Sequence, residues 1–218
     1  MRNTSEQPVR RYLTAPRVIA FPTGARVPET KRHLKIRTAL YAILEHELRD
    51  RAMIGSEQFV YWDPTDPSQC LAPVAFVRLG APDELFDSWK VWERGSPHLA
   101  VEIVSGSDAS DAVWAPKLRK YHRLGVREVV RFDPETRTLR IWNYIEGDLV
   151  ERALVDGRAA ECVPLGLFWV VAPDGASEVL LRLARDDSGK DLLPTSEETR
   201  DAALERVRVL EEELAKRG

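Results

Sequence analysis

The segment that most limits the fold is His98-Leu99-Ala100-Val101-Glu102-Ile103-Val104, a run almost wholly apolar except for one carboxylate inside it. A strand without polar alternation must be covered on both faces, which a central position in a layered sheet provides. Glu102 buried there needs a partner, a metal or a proton.

The elements around that run suit such a sheet. From Glu29 to about Ile54, Ile36, Leu40, Ile43, Leu44 and Leu48 recur every three or four residues, which predicts a helix with Gly55 just past its end. Strand patterns follow at Gln58–Trp62 and Pro73–Leu79, separated by the turn-rich Asp63-Pro64-Thr65-Asp66-Pro67. After the Glu102 run, a polar loop from Ser105 to Asp111 leads into a helix through Pro116, Lys117, Leu118, Tyr121 and Leu124 to Gly125, with Asp111 or a neighbour as its cap. Arg127–Phe132 and Thr138–Tyr144 then form a hairpin around Asp133-Pro134-Glu135-Thr136, and further strands are expected at Leu149–Leu154 and Phe168–Val171. Helix, strands, helix and strands in that order give an α/β (α+β) fold with a mixed central sheet.

Two flanking pieces differ in character. Residues 1–28 carry Pro8, Pro16, Pro22 and Pro28 without a sustained period, as an extended arm would. Residues 191–218 hold Thr195-Ser196-Glu197-Glu198, the form of a capping box, followed by Ala203, Val207, Leu210 and Leu214 at 4-3-4 spacing. That narrow seam fits either a homodimer contact or docking onto the parent domain at 29–190.

Composition removes several classes of function. No apolar stretch is long enough for a membrane span, and Met1–Gln7 lacks the apolar core of a signal peptide. Cys70 and Cys162 are too few for a disulfide framework or a Cys-rich zinc site, so a reduced, cytoplasmic setting is expected. The formal charge of −3 argues against a general nucleic-acid coat, but it conceals an uneven distribution. Between Val113 and Arg131 the bases Lys117, Arg119, Lys120, Arg123, Arg127 and Arg131 face the single acid Glu128. This segment reads either as an anion-facing surface or as a solvated helix face.

No phosphate-binding glycine loop is present, and His33, His46, His98 and His122 are too scattered for a zinc pair. Ser105 follows a strand without the spacing of a nucleophile elbow. What remains is Glu102 in a central strand with Lys117 one helix start later. Carboxylates that hold a hard cation, with a lysine to steady charge, serve metal-assisted phosphodiester hydrolysis; the same pair also serves as a structural ion bridge.

Pro97–Ser105, Asp111, Lys117-Leu118-Arg119-Lys120-Tyr121, Leu124–Glu128 and Phe132-Asp133-Pro134 together resemble the restriction-endonuclease family of PD-(D/E)XK type, the Uma-type nuclease-like proteins. The resemblance runs upstream through Asp63-Pro64, Leu71–Val77 and Leu79-Gly80 and downstream to Leu165-Gly166-Leu167, roughly residues 30–195. It implies a restriction-endonuclease-like mixed sheet flanked by helices, a C-terminal helical tail, and a site using Mg²⁺ or Mn²⁺ on nucleic acid, DNA foremost. In that scheme Glu102 is an acidic ligand, the Ile103 backbone carbonyl a further ligand, and Lys117 the catalytic lysine carried on the following helix. Tyr121 packs, and Glu128 and Ser105 support the site; separately, the basic stretch offers Arg119, Lys120 and Arg123 as the residues that would meet nucleic acid.

The sequence departs from the family at the first metal-binding Asp, where Val74 follows Pro73. Lesser departures are Gly106 for Pro and Val129-Val130 for Tyr-Trp. An isopropyl group offers no lone pair to a cation, so the expected site is incomplete unless Asp63, Asp66, Asp83, Glu45 or Glu47 substitutes. The expectation is a metal-dependent endonuclease with a degenerate site; the alternative is a catalytically inactive pseudonuclease that binds nucleic acid or a protein partner.

Overall fold

A computed structural model describes residues 19–22, 30–105, 110–154, 159–174 and 178–216. In chain order the elements are α1 (Lys31–Glu47), β1 (Ala52–Gly55), β2 (Val60–Tyr61), β3 (Cys70–Leu71), β4 (Ala75–Leu79), β5 (Trp89–Lys90), α2 (Val91–Arg94), β6 (Leu99–Ile103), α3 (Asp111–Leu124), β7 (Glu128–Asp133), β8 (Thr138–Ile145), β9 (Asp148–Glu151), β10 (Ala159–Cys162), β11 (Leu167–Asp174), β12 (Glu178–Ala184) and α4 (Ser196–Ala215).

Six strands form the central sheet in the order β1-β4-β6-β7-β8-β9. Only β6 and β7 run parallel, joined by α3, and the other neighbours are antiparallel, so the sheet is mixed as expected. β6 is buried at every position, as its unbroken apolar run requires. One face of the sheet packs on α1 and the β10-β11-β12 sheet through Leu40, Val101, Val130, Ile141, Trp169 and Leu181. The other packs on α3 and the small β3-β2-β5 sheet through Phe76, Ala100, Trp114, Tyr121, Val129 and Trp142.

α1 starts where the Thr30 side chain accepts from the His33 amide, and it buries Ile36, Leu40, Ile43 and Leu44. It stops at Glu47, earlier than the apolar spacing predicts. Asp50 adopts a positive φ of 65°, and Ala52–Gly55 turn away to pair with β4 as a fully buried strand. Gly55 therefore serves the sheet and not a helix end: a Cβ on it would come within 2.1 Å of the Phe76 ring.

α3 is capped by Ser110, not Asp111, and closes at Gly125, whose left-handed φ of 77° lets its amide reach the last-turn carbonyls. The expected strand at Gln58–Trp62 shrinks to two residues, while β12, which the periodicity does not mark, pairs with β11 from Phe168 to Asp174. Of residues 1–28, only 19–22 are described. The Phe21 ring stacks edge-on against Tyr61 at 4.9 Å, and the Tyr61 hydroxyl donates to the Pro22 carbonyl at 2.6 Å. The C-terminal helix has the capping box read from Thr195 and Glu198.

Candidate functional site at the end of β6

The parallel β6-α3-β7 unit places the carboxyl end of a central strand against the first turns of a helix, a usual position for a ligand site in such sheets. Glu102 occupies that end and is 5% exposed. The first helix turns bring Lys117 over it, with Nζ 2.8 Å from Glu102 Oε1. One turn later Tyr121, fully buried, donates its hydroxyl to the same oxygen. Burial, reinforced by the neighbouring carboxylate, holds the Tyr121 phenol well above its ordinary value, so it stays protonated and remains a donor.

The sheet register adds a residue that sequence spacing did not single out. Glu102 lies opposite Arg131 on β7, and Arg131 lies opposite Arg140 on β8, so three charged side chains form a row across three strands. Arg131 is 7% exposed; its guanidinium lies 5.2 Å from the Trp114 ring and 3.3 Å from Asp111 Oδ1. Arg140 takes the same Asp111 oxygen at 2.6 Å and pairs with Glu151 at 2.7 Å. Arg140, then Arg131, hold the Asp111 carboxyl below the usual carboxylate range. Sequence spacing marks Arg131 only as one member of a basic stretch and does not mark Arg140. The single available signal for Arg131 was an arginine interrupting Val129-Val130-Phe132, and its meaning depends on register.

Glu102, Ile103, Val104, Val113, Trp114, Lys117 and Arg131 enclose a small cavity of about 20 Å³, room for roughly one water. Lys117 and Ile103 thus line the same cavity as Glu102. The others divide differently. Arg119, Lys120 and Arg123 are exposed on α3 and do not line the cavity. Glu128 is fully buried at the other end of β7, opposite Leu99, where it accepts from Trp169 Nε1 at 3.0 Å, Asn143 Nδ2 at 2.9 Å and the Val163 amide at 3.1 Å. It ties the two sheets together and is not brought to Glu102. Ser105 lies two residues past β6 and is half-buried.

Val74 precedes β4 by one residue, is 5% exposed, and joins the core with Ile54, Ala75 and Ile103. None of the five candidate substitute acids lines the cavity. Asp63 and Asp66 accept from their own turns at Thr65 and Ser68, Glu45 accepts from Tyr41, and Glu47 pairs with Arg185. Asp83 sits in the loop after β4.

A magnesium ion demands near-octahedral oxygen coordination at about 2.1 Å and repels nearby cations. Among the described residues no group of three or more His, Cys, Asp or Glu could hold a metal. The one carboxylate in the cavity already accepts from Lys117 and Tyr121, and Arg131 shares the space. The described side chains do not fit a resident divalent ion. Glu102, Lys117 and Arg131 line the cavity with a formal charge of +1, which Asp111 at 3.3 Å from Arg131 offsets, and a divalent cation would add two positive charges with no uncommitted carboxylate among the described lining residues to receive them.

Comparison with known proteins identifies the family. The family model Uma2, "Putative restriction endonuclease", matches residues 24–183 of this 218-residue chain, and the chain belongs to that family. The crystal structure of a "putative nuclease belonging to DUF820" from Anabaena variabilis ATCC 29413 is similar over 60% of this chain and 73% of that one, with 15% identity and a TM-score of 0.45. No curated protein matches the chain. No helix among the described residues is long and apolar enough to cross a membrane.

Proposed function

We propose that this member of the restriction-endonuclease family engages the phosphodiester backbone of DNA at the end of β6 without cutting it, as a nuclease fold with a degenerate metal site. The observation that carries the reading is the donor set at the cavity: its one carboxylate is already bonded to Lys117 and Tyr121 and shares the space with the buried Arg131, which leaves no free carboxylate among the described lining residues for a metal while the part-exposed Lys117 stays within reach of a backbone phosphate. Lys117 and Arg131 supply donors for phosphate oxygens, and Glu102 orients Lys117 and prevents the two cations from repelling one another. The exposed bases Arg119, Lys120 and Arg123 on α3 extend the positive surface for flanking phosphates.

The second reading is a metal-dependent endonuclease that uses Mg²⁺ or Mn²⁺, with Glu102 and the Ile103 carbonyl as protein ligands and Lys117 as the catalytic lysine. Family membership and the 2.8 Å Glu102–Lys117 pair favour it. One experiment separates the two. Purified protein and its Glu102→Ala, Lys117→Ala and Arg131→Ala variants are mixed with labelled duplex DNA, with and without Mn²⁺, and followed for cleavage and for fluorescence anisotropy. The degenerate reading expects no metal-dependent cleavage and a salt-sensitive affinity that falls in the Lys117 and Arg131 variants. Cleavage that requires metal and disappears in both the Glu102 and Lys117 variants would overturn it in favour of the second.

A further inference from the structure

α4 is a 20-residue helix with no buried residue. A solitary helix of that length is marginal in water, and helices of folded proteins owe most of their stability to an apolar face packed on something. Here that face is left open: Leu204 is 61% exposed, Val207 50%, Leu210 47% and Leu214 68%. Among the described residues, α4 is held at its start, where Glu198 grips Arg182 and where Ser196, Thr199 and Ala203 border a groove shared with Ala42 and His46 of α1. The stripe that faces α1 at its beginning continues as Val207, Leu210 and Leu214.

The charges beside the stripe identify what covers it. On the outer side of the helix Arg208 is already satisfied by Glu205 at 2.6 Å and Glu212 at 3.2 Å. The residues flanking the seam, Arg206 and Glu213 on one side and Glu211 on the other, make no ion pair with any described residue. With Ala203, Val207, Leu210 and Leu214 as the seam, these are the positions that form interhelical pairs. A second α4 laid parallel sets Arg206 beside Glu211 of the second copy; laid antiparallel, it sets Arg206 beside Glu213 of the second copy. Either orientation turns unpaired charges into complementary ones while covering the apolar stripe.

We propose that α4 is a self-association helix and that its occupant is α4 of a second copy of this chain. The contact is independent of what the β6 cavity binds. Sedimentation equilibrium on the full 218-residue chain, up to roughly 200 µM, tests it at the weak affinities a short seam supports. The wild type is expected to show a concentration-dependent dimer, and the Val207→Glu/Leu210→Glu variant is expected to stay monomeric. Its near-UV circular dichroism should be unchanged, since all six tryptophans lie outside α4. Arg206→Glu alone and Glu211→Arg/Glu213→Arg alone should each weaken the dimer about tenfold or more, and mixing the two should recover it. A wild type that stays monomeric throughout, a dimer that survives Val207→Glu/Leu210→Glu, or a mixture no tighter than its components would overturn the proposal.

Discussion

Glu102 and Arg131 stand directly opposite one another on the parallel strands β6 and β7, at 5% and 7% exposure. Two opposite charges withdrawn from water in this way are each costly alone and tolerable together. Lys117 bonds the Glu102 carboxylate at 2.8 Å, and Arg131 is also held by Asp111 at 3.3 Å, so Glu102 is the buried anion placed between two cations. The consequences of changing it follow from that position.

Glu102→Gln keeps the shape and removes the charge. The two cations then repel one another, and unfolding free energy should drop by about 2–4 kcal/mol, measured by urea titration. The same change makes the cavity lining one charge more positive. Duplex DNA should bind about 5–10-fold tighter, since one fewer negative charge at a few ångströms is worth about 1 kcal/mol even with near-aqueous screening. A site built around a metal on Glu102 predicts the reverse, a loss of DNA engagement in Mg²⁺, so anisotropy titration of this variant discriminates between the two readings.

Val74→Asp tests how far the site has drifted. The β4–β6 register pairs Ala75 with Val101, and one further step would bring position 74 opposite Glu102. A carboxylate at this buried position should cost about 2–4 kcal/mol without metal. It should also create a second acidic ligand, so isothermal titration should detect saturable Mn²⁺ binding that is absent in the wild type and lost again in Val74→Asp/Glu102→Ala. Ligand binding to the folded state would then recover part of the lost stability in Mn²⁺. No heat of binding in the double-acid protein would mean that more than one ligand has been lost.

The parts of this site that were legible in the sequence are those fixed by local pattern. The uninterrupted run His98–Val104 requires a two-sided burial that only a central strand gives, and Gly125 and the Thr195/Glu198 box mark helix ends by chemistry confined to one turn. Lys117 was legible because a helix start follows the strand at a fixed distance. Arg131 was not, because whether it meets Glu102 or solvent depends on the β6–β7 register, a property of two strands and not of either one. The end of α1 was illegible for a related reason. The apolar spacing continues through Ile54, and only pairing with β4 turns Ala52–Gly55 into a strand.

His98 makes stability depend on acid. Its ring is 8% exposed, Nδ1 accepts from the Leu79 amide at 3.0 Å, and burial, then Arg127 and Arg78, pull its pKa down from 6.5 to about 4. The folded protein therefore keeps His98 neutral where the unfolded chain takes up a proton. Its contribution is fully present above pH 6.5 and is lost as pH falls from there towards 4. Allowing for partial solvent screening, the loss should be about 1–3 kcal/mol. Urea titrations at a series of pH values should show this slope in the wild type and a shallower one in His98→Gln.

The root of α4 depends on one buried guanidinium. Arg182 on β12 is 5% exposed, donates to both carboxylate oxygens of Glu198 at 2.9 and 2.6 Å, and also reaches the Leu193 carbonyl at 2.5 Å. Glu198 accepts at the same time from the Thr195 amide at 2.8 Å, so a single carboxylate closes the capping box and neutralises the arginine. Arg182, more than any other neighbour, lowers the Glu198 carboxyl, so this contribution is present at neutral pH and fades as pH falls below the ordinary glutamate range. Glu198→Gln can still close the box but leaves Arg182 without a counter-charge, and should cost about 2–3 kcal/mol. Glu198→Ala loses both functions and should cost about 3–4 kcal/mol, with faster amide exchange across the first turns of α4. Removing both charges together, as Arg182→Leu/Glu198→Leu, leaves no buried ion uncompensated. That double variant should be more stable than either single one, and a double-mutant cycle by urea unfolding measures the coupling. A cycle that closes with no coupling energy would show that α4 is held without this pair.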